Sequence, residues 1–398
     1  MHPADEIRGV KSKRLFKKKI VLGITGSIAA VESVKLSREL IRHGAEVFPV
    51  MTQSATKIIH PDSLEFSSGN KPIIELTGKT EHVSFCGRVK EPADLFIISP
   101  CTANTISKIA HGIDDTAVTT FATTAIGSGI PILIVPAMHL SMYDHKIVQK
   151  NILKCKEIGI EFIEPSIQGS KAKLADIGEI VANAILETGK RDMEDKRVLI
   201  IGGSSAEAID YVRIISNHSS GKTAISLAKS AFNKAADVEL LYGRGRETAP
   251  DYIKTVNFES VGNLVELLKT RDINNFDVIL ICAALSDYIP KKIEGKISSD
   301  KKKLVLEMFP APKIIAMLRE KAPASKLVGF KLEENNNELQ EKAYSLLKKN
   351  NLDFVIANTI SGLIGDKNEM WIIDGKGDSI HKTGKKEDLA DWILCVVK

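Results

Sequence analysis

The chain has 398 residues, with 55 Lys and Arg against 50 Asp and Glu and a net charge of +5. Hydrophobic residues make up 43%, charged residues 26% and aromatics 5%, so this is a soluble globular composition whose cores must be built from Ile, Leu, Val and Ala. There is no apolar run of the roughly 18 residues a membrane span needs and no secretion-type apolar segment, and the five scattered cysteines, without a C-x-x-C, argue against a disulfide framework or zinc site and for a reducing cytoplasm.

The basic run "KSKRLFKKK" (11–19) reads as a solvated entry to the first strand, without the aromatic interleaving of a nucleic-acid site. "KKIVLGITGSIAA" (18–30) then gives a short continuous apolar run followed by Gly and Ser, the pattern of a strand buried on both faces. A helix is predicted over 29–44, stopped by Gly44, and strands over 45–52, 93–100 and 130–138. The polar stretch "ETGKRDMEDK" (187–196) reads as a linker and divides the chain into domains 1–190 and 191–398. "KRVLIIGGSSAEA" (196–208) opens the second block as the first was opened. Strands are predicted over 237–243, 276–284, 327–330 and 353–358, and helices over 264–272 and 337–349. Alternating strand and helix predicts α/β architecture: two doubly wound, Rossmann-like or flavodoxin-like domains with parallel sheets.

Ligands bind such sheets at the carboxyl ends of the strands. In the first block those ends carry Thr25, Gly26, Ser27 and Ile28, then Thr52, Gln53 and Ser54, then "SPCTANT" (99–105) and "PAMHLSMY" (136–143). Four polar loops converging on one edge point to a mononucleotide site. "GSIAA" alone does not separate a phosphate cradle from a plain turn.

In the second block "SNHSSGKT" (216–223) ends like a phosphate-binding P-loop, with Gly221, Lys222 and Thr223 in place. The pattern also needs Gly where Ser216 stands, and a strand directly before it. The nearest apolar run, "VLIIGG" (198–203), ends too early.

In this order, "ITGSIAA", "MTQSA", "SPCTANT", "AHGIDDTAVTT" and "PAMHLSMY" resemble the flavin-dependent cysteine decarboxylases that act on phosphopantothenoylcysteine, over about residues 1–185. The resemblance implies a flavodoxin-like fold that binds FMN through Gly26, Ser27, Ile28, Thr52, Ser54, Ser99 and Thr102. It also implies a trimer-based assembly with sites between subunits. Within "EHVSF" (81–85), His82 is implied as the catalytic histidine, assisting proton transfer from the substrate thiol. FMN takes up hydride and returns it, so that a thioaldehyde can accept the electrons left by CO₂. Asn104, Met138 and His139 are implied as substrate contacts. Two departures stand out. His139 replaces the family's Asn, and Leu174 in "KLADIG" occupies the place of the bacterial proton-donor cysteine. The opening "MHPADEIRGVKSK" is similar to the archaeal branch.

"GGSSAEAIDYVRIISNHSSGKTA" (202–224) resembles phosphopantothenate–cysteine ligase, and "AALSDY" (283–288), "GKIS" (295–298), "PAPKII" (310–315), "GFKLEENN" (329–336) and "IANT" (356–359) follow in family order. The resemblance implies that 4′-phosphopantothenate is activated by a nucleoside triphosphate, CTP by preference because of the fusion, with Mg²⁺. Cysteine then attacks the acyl-nucleotide. Asn217 is implied to hold that intermediate, and Lys296, nine residues after Asp287, to answer the phosphate charge. Ala283, Asp287, Pro312, Lys313, Ile314, Ile315, Phe330 and Lys349 are implied nucleotide contacts, and the ligase domains are implied to dimerise. A dinucleotide dehydrogenase would need a G-x-G-x-x-G that neither block contains. A prenyl-FMN synthase would leave the second half unexplained. Leu174 keeps open an active ligase fused to an altered or regulatory flavoprotein half.

Overall fold

The structure, a computed structural model, describes residues 2–298, 300, 303–334, 338–362 and 365–398, the side chain of Ser361 excepted. The last two residues of "GFKLEENN" and the first of the helix predicted at 337–349 lie outside them. The chain forms two compact units, Met1–Gly189 and Lys190–Lys398.

The first unit is built on a five-stranded parallel sheet, ordered Glu46–Met51, Lys19–Ile24, Leu95–Cys101, Ile132–Pro136 and Glu161–Phe162. In chain order this is 2-1-3-4-5, the flavodoxin-like arrangement. Side-chain alternation feeds both faces. Ile20, Leu22, Leu95, Ile97 and Leu133 enter one core cluster, and Val21, Phe96, Ile98 and Ile134 enter the other. Gly23 keeps that second face open, since a Cβ there would lie 2.9 Å from the Phe96 ring. The predicted helix at 29–44 begins as a 3-10 turn, Ile28–Glu32, before the α-helix Ser33–Arg42. Gly44 ends it at φ +108°, where a Cβ would meet the Phe16 backbone at 2.9 Å. The strand predicted at 130–138 stops at Pro136. Met138–His139 instead pairs antiparallel with Lys171–Lys173, which pairs with Ser166–Gln168.

The second unit has an eight-stranded sheet. Its first six strands run parallel in the order Lys254–Asn257, Asp237–Tyr242, Arg197–Gly202, Val278–Ile281, Lys326–Glu333 and Phe354–Thr359. By chain position this is 3-2-1-4-5-6, the Rossmann order. The wholly parallel expectation fails at the far edge, where Lys367–Asp374 and Ser379–Lys385 add as an antiparallel pair. Alternation again loads both faces, with Val198, Ile200 and Leu280 on one and Leu199, Ile201 and Ile279 on the other. Truncating any of these buried Leu or Ile side chains to Ala costs about 2–5 kcal/mol. Among the described residues, no helix is long and apolar enough to cross a membrane.

Candidate functional sites

Each sheet reverses strand order at one point, and there the loops on either side splay into a crevice. In the first unit this lies between Lys19–Ile24 and Leu95–Cys101. The buried Thr25 hydroxyl donates to the Pro100 carbonyl at 2.8 Å and accepts the Thr102 N–H at 3.0 Å, tying the two loops together. Ser27, Thr52 and Thr102 each cap a helix, accepting the N–H of Ala29, Ala55 and Thr105 at 3.4, 3.2 and 3.3 Å. Gly26 backs onto Ser54, where a Cβ would stand 2.6 Å from the Ser54 Cβ. A cleft beside this edge is lined by Thr52, Ser54, Glu75, Asp114, Asp115 and Thr116, among others.

Two features of this edge suit a group that is part anion and part flat ring. The Ser99 hydroxyl is buried without a hydrogen-bond partner, and the Ile28 side chain is 78% exposed. Hydroxyl-capped helix starts next to them supply N–H groups of the kind that favour phosphate.

His82, Asn104, Met138 and His139 do not line that cleft. His82 sits in the helix Glu81–Cys86, which packs on Ala117–Ser128, and its Nδ1 is buried without a partner. Asn104 is exposed in the first turn of Ala103–Ala110. Met138 is half-buried. His139 is exposed, and its Nδ1 accepts the Ser141 N–H at 3.3 Å, which leaves the proton on Nε2. Leu174 packs against the core, and its hydrocarbon side chain has no acidic proton to donate. The three described thiols of this unit, Cys86, Cys101 and Cys155, are all buried. Burial pushes Cys86 up to about 12 and Cys155 up to about 11, and raises Cys101 well above the usual thiol range.

In the second unit the order reverses between Arg197–Gly202 and Val278–Ile281, and a cleft opens there lined by Gly203, His218–Ala224, Cys282–Ala284 and Phe330. "SNHSSGKT" begins on the last residue of the small hairpin strand Ile214–Ser216 and does not follow a central strand, which is why it does not form a P-loop. Gly221 starts the helix Lys222–Asn233 at φ +75°, against Tyr242, with no room for a side chain. Asn217 Nδ2 donates to the carbonyls of Ala284 and Leu285 at 3.3 and 3.1 Å. The Ser205 hydroxyl donates to Ser286 Oγ at 3.0 Å and accepts the Ser286 N–H at 3.0 Å. The loops carrying Ser204–Ser205, Asn217 and Ala283–Ser286 are therefore bonded into one wall.

Ala283 and Phe330 line the cleft, but Asp287, Lys296, Pro312, Lys313, Ile314, Ile315 and Lys349 do not. Lys313 and Asp287 pair at 2.8 Å and join the "AALSDY" and "PKII" segments. Ile314 is buried in the core, so only its backbone could meet a ligand. Lys296 and Lys349 are exposed. Sequence reading missed Lys386, which lines the cleft and is 3% exposed. Burial, and then the nearby Lys222, push its ammonium pKa down. Lys222, hydrogen-bonded to Asp366, has its own pKa raised by that partner. Two ammonium groups in one cleft favour a polyanion. Among the described residues, no group of three or more His, Cys, Asp or Glu is placed to hold a metal.

Residues 9–189 match the family described as Flavoprotein, and residues 193–398 match the DNA/pantothenate metabolism flavoprotein C-terminal domain. A coenzyme A biosynthesis bifunctional protein CoaBC of Thermococcus kodakarensis is 45% identical over 378 residues, covering 94% of this chain and 93% of its own. The chain belongs to the CoaBC family of bifunctional coenzyme A biosynthesis proteins. The CoaBC of Methanocaldococcus jannaschii is 39% identical over 408 residues, covering 100% of this chain and 98% of its own. A solved C-terminal domain of a CoaBC is 29% identical and covers 52% of this chain and 96% of its own, with a TM-score of 0.45. As a CoaBC protein, the chain is a phosphopantothenate–cysteine ligase and a phosphopantothenoylcysteine decarboxylase. The dehydrogenase reading falls with this membership.

Proposed function

We propose that the second unit performs the first step and the first unit the second. In the second unit a nucleoside triphosphate, CTP by preference and accompanied by Mg²⁺, activates the carboxylate of 4′-phosphopantothenate. The amine of cysteine then displaces the nucleotide. The observation that carries this reading is the Asn217 amide bonded to the Ala284 and Leu285 carbonyls beside the switch-point cleft. Asn217 holds the acyl-nucleotide and Lys296 neutralises the phosphates as pyrophosphate leaves. Asp287, the 312–315 segment, Ala283, Phe330 and Lys349 position the nucleotide, and Lys222 and Lys386 add positive charge at its phosphates.

In the first unit the Gly26–Ile28 turn, Thr52, Ser54, Ser99 and Thr102 hold FMN. FMN, when bound, supplies the reversible hydride chemistry that makes loss of the substrate carboxylate feasible. His82 assists proton transfer from the substrate thiol. Asn104, Met138 and His139 orient the substrate carboxylate, His139 through the N–H left on its Nε2. The chain works in the cytoplasm as an oligomer, with trimer-based flavoprotein units and dimeric ligase units. The second unit's hairpins support association, because Tyr211, Val212, Tyr288 and Phe309 are exposed there. The core position of Leu174 favours a second reading of the first half alone, in which it is altered or regulatory.

One variant tests the division of labour. His82→Asn is expected to retain ligation and lose decarboxylation, so that 4′-phosphopantothenoylcysteine accumulates. Loss of both activities in a folded His82→Asn protein would refute the two-site assignment. Absence of CO₂ release from the unmutated chain would favour the regulatory reading.

A further inference from the structure

Asp210 to Arg213 form the D-x-V-R part of the ligase-like segment. The Asp210 side chain is fully buried, and all its bonding capacity is used locally. Its Oδ1 accepts the N–H of Val212 at 2.7 Å and of Arg213 at 2.6 Å. Its Oδ2 accepts Arg213 Nη1 at 2.5 Å and the Ile297 N–H at 3.0 Å. The same Nη1 donates to the Ile297 carbonyl at 3.2 Å. Both polar groups of the Ile297 backbone are thus held by one ion pair. Two further bonds reach the same strand of chain, Tyr211 N–H to the Gly295 carbonyl at 3.2 Å and Ile293 N–H to the Ile209 carbonyl at 2.9 Å.

Lys296 lies between the two gripped residues, Gly295 and Ile297, and its own side chain projects exposed. A lysine is a long, flexible stem, so its useful placement depends on where its Cα is fixed. We propose that Asp210 is a positioning residue for ligation: with Arg213 it clamps the backbone on both sides of Lys296, so that the ammonium meets the nucleotide phosphates. This rests on the reading of Lys296 given above. The N–H of Ile297, followed by those of Arg213 and Val212 and the Arg213 guanidinium, holds the Asp210 carboxyl well below the usual carboxylate range. The clamp is therefore charged throughout the working pH range and is not a pH gate.

Asp210→Asn is nearly isosteric. With its oxygen kept toward the two turn N–H groups, its amide nitrogen faces the Ile297 N–H and the Arg213 guanidinium, donor against donors. The full chain is assayed for pyrophosphate release with 4′-phosphopantothenate and CTP, as unmutated protein, Asp210→Asn, Lys296→Gln and the double variant. A displacement of about 1 Å at a reacting group costs on the order of 100-fold. The expected loss in Asp210→Asn is therefore about 10- to 100-fold in kcat, with KM for CTP within about threefold and decarboxylation unchanged. Because Asp210 acts through Lys296, adding Asp210→Asn to Lys296→Gln is expected to cause no further loss. An unchanged kcat in Asp210→Asn, or losses that multiply in the double variant, overturns the inference while Lys296→Gln remains slow. A wild-type rate in Lys296→Gln sinks the underlying reading of Lys296, and the inference with it. If Asp210→Asn does not fold, Arg213→Gln replaces it in the same cycle, since it removes the bond to the Ile297 carbonyl from a half-exposed side chain.

Discussion

Asn217 donates its one side-chain amide to two carbonyls in succession, Ala284 at 3.3 Å and Leu285 at 3.1 Å. Asn217→Asp keeps the shape but sets a carboxylate against both carbonyls and, on the proposed reading, beside the phosphates. Activation is expected to survive in part, because the proposed role of Asn217 leaves the triphosphate to other residues, while attack by cysteine fails. Mass spectrometry should then show a trapped 4′-phosphopantothenoyl-nucleotide, with pyrophosphate released about once per site, in line with an interaction used mainly in the second step. Normal turnover in this variant would refute the role given to Asn217.

Gly26 and Ser54 belong to loops on two neighbouring strands, and the 2.6 Å that a Cβ would leave between them is far inside contact distance. Gly26→Ala must push the two loops apart at the proposed flavin edge. The variant is expected to purify colourless or to bind FMN at least about 10-fold more weakly by titration, the equivalent of about 1.4 kcal/mol. The ligase reaction should be unaffected. Unaltered FMN affinity would show that this edge is not the flavin site.

Glu239, 6% exposed, pairs with Lys254 at 2.7 Å and Arg271 at 2.9 Å. Burial raises its pKa, but the hydrogen bonds from Lys254 and Arg271 outweigh burial, and the net shift is downward from 4.5. A carboxylate with a depressed folded pKa stabilises the fold fully above its unfolded value and loses that contribution as pH falls through the folded one. Glu239→Gln is therefore expected to destabilise the second unit by about 1–3 kcal/mol at pH 7, a Tm drop of about 2–10 °C. The gap should narrow below about pH 4.5 as the unmutated residue protonates. Thermal melts at pH 7 and pH 4 check this, and a gap that stays constant or widens in acid would contradict it.

The inner strands were legible because burial on both faces leaves a continuous apolar run, as in "VLIIGG" and "VILI". The antiparallel pair Lys367–Asp374 and Ser379–Lys385 was not. The second strand is exposed along most of its length, and its polar sequence "SIHKTGK" carries no period that a strand reading could use. At the proposed ligase site the family motifs led to Asn217, Ala283 and Phe330, which the fold brings to one crevice wall or cleft. Lys386 could not have been found this way. It is one lysine within "GKKED", and only the packing of the helix Lys386–Val397 against Lys222–Asn233 buries it in the cleft. The Asp210 clamp was also hidden, since it joins residues 87 positions apart.

On the proposed reading, one chain joins cysteine to 4′-phosphopantothenate and then decarboxylates the product. That reading is tested most directly by incubating the purified, FMN-loaded chain with 4′-phosphopantothenate, cysteine, Mg²⁺ and either CTP or ATP, and weighing the products by mass spectrometry. The expected products are 4′-phosphopantetheine, with pyrophosphate, nucleoside monophosphate and CO₂ in equal amounts, formed faster with CTP. If neither nucleotide yields a cysteine adduct, or if the adduct forms and persists without loss of CO₂, the account of two successive active sites is contradicted.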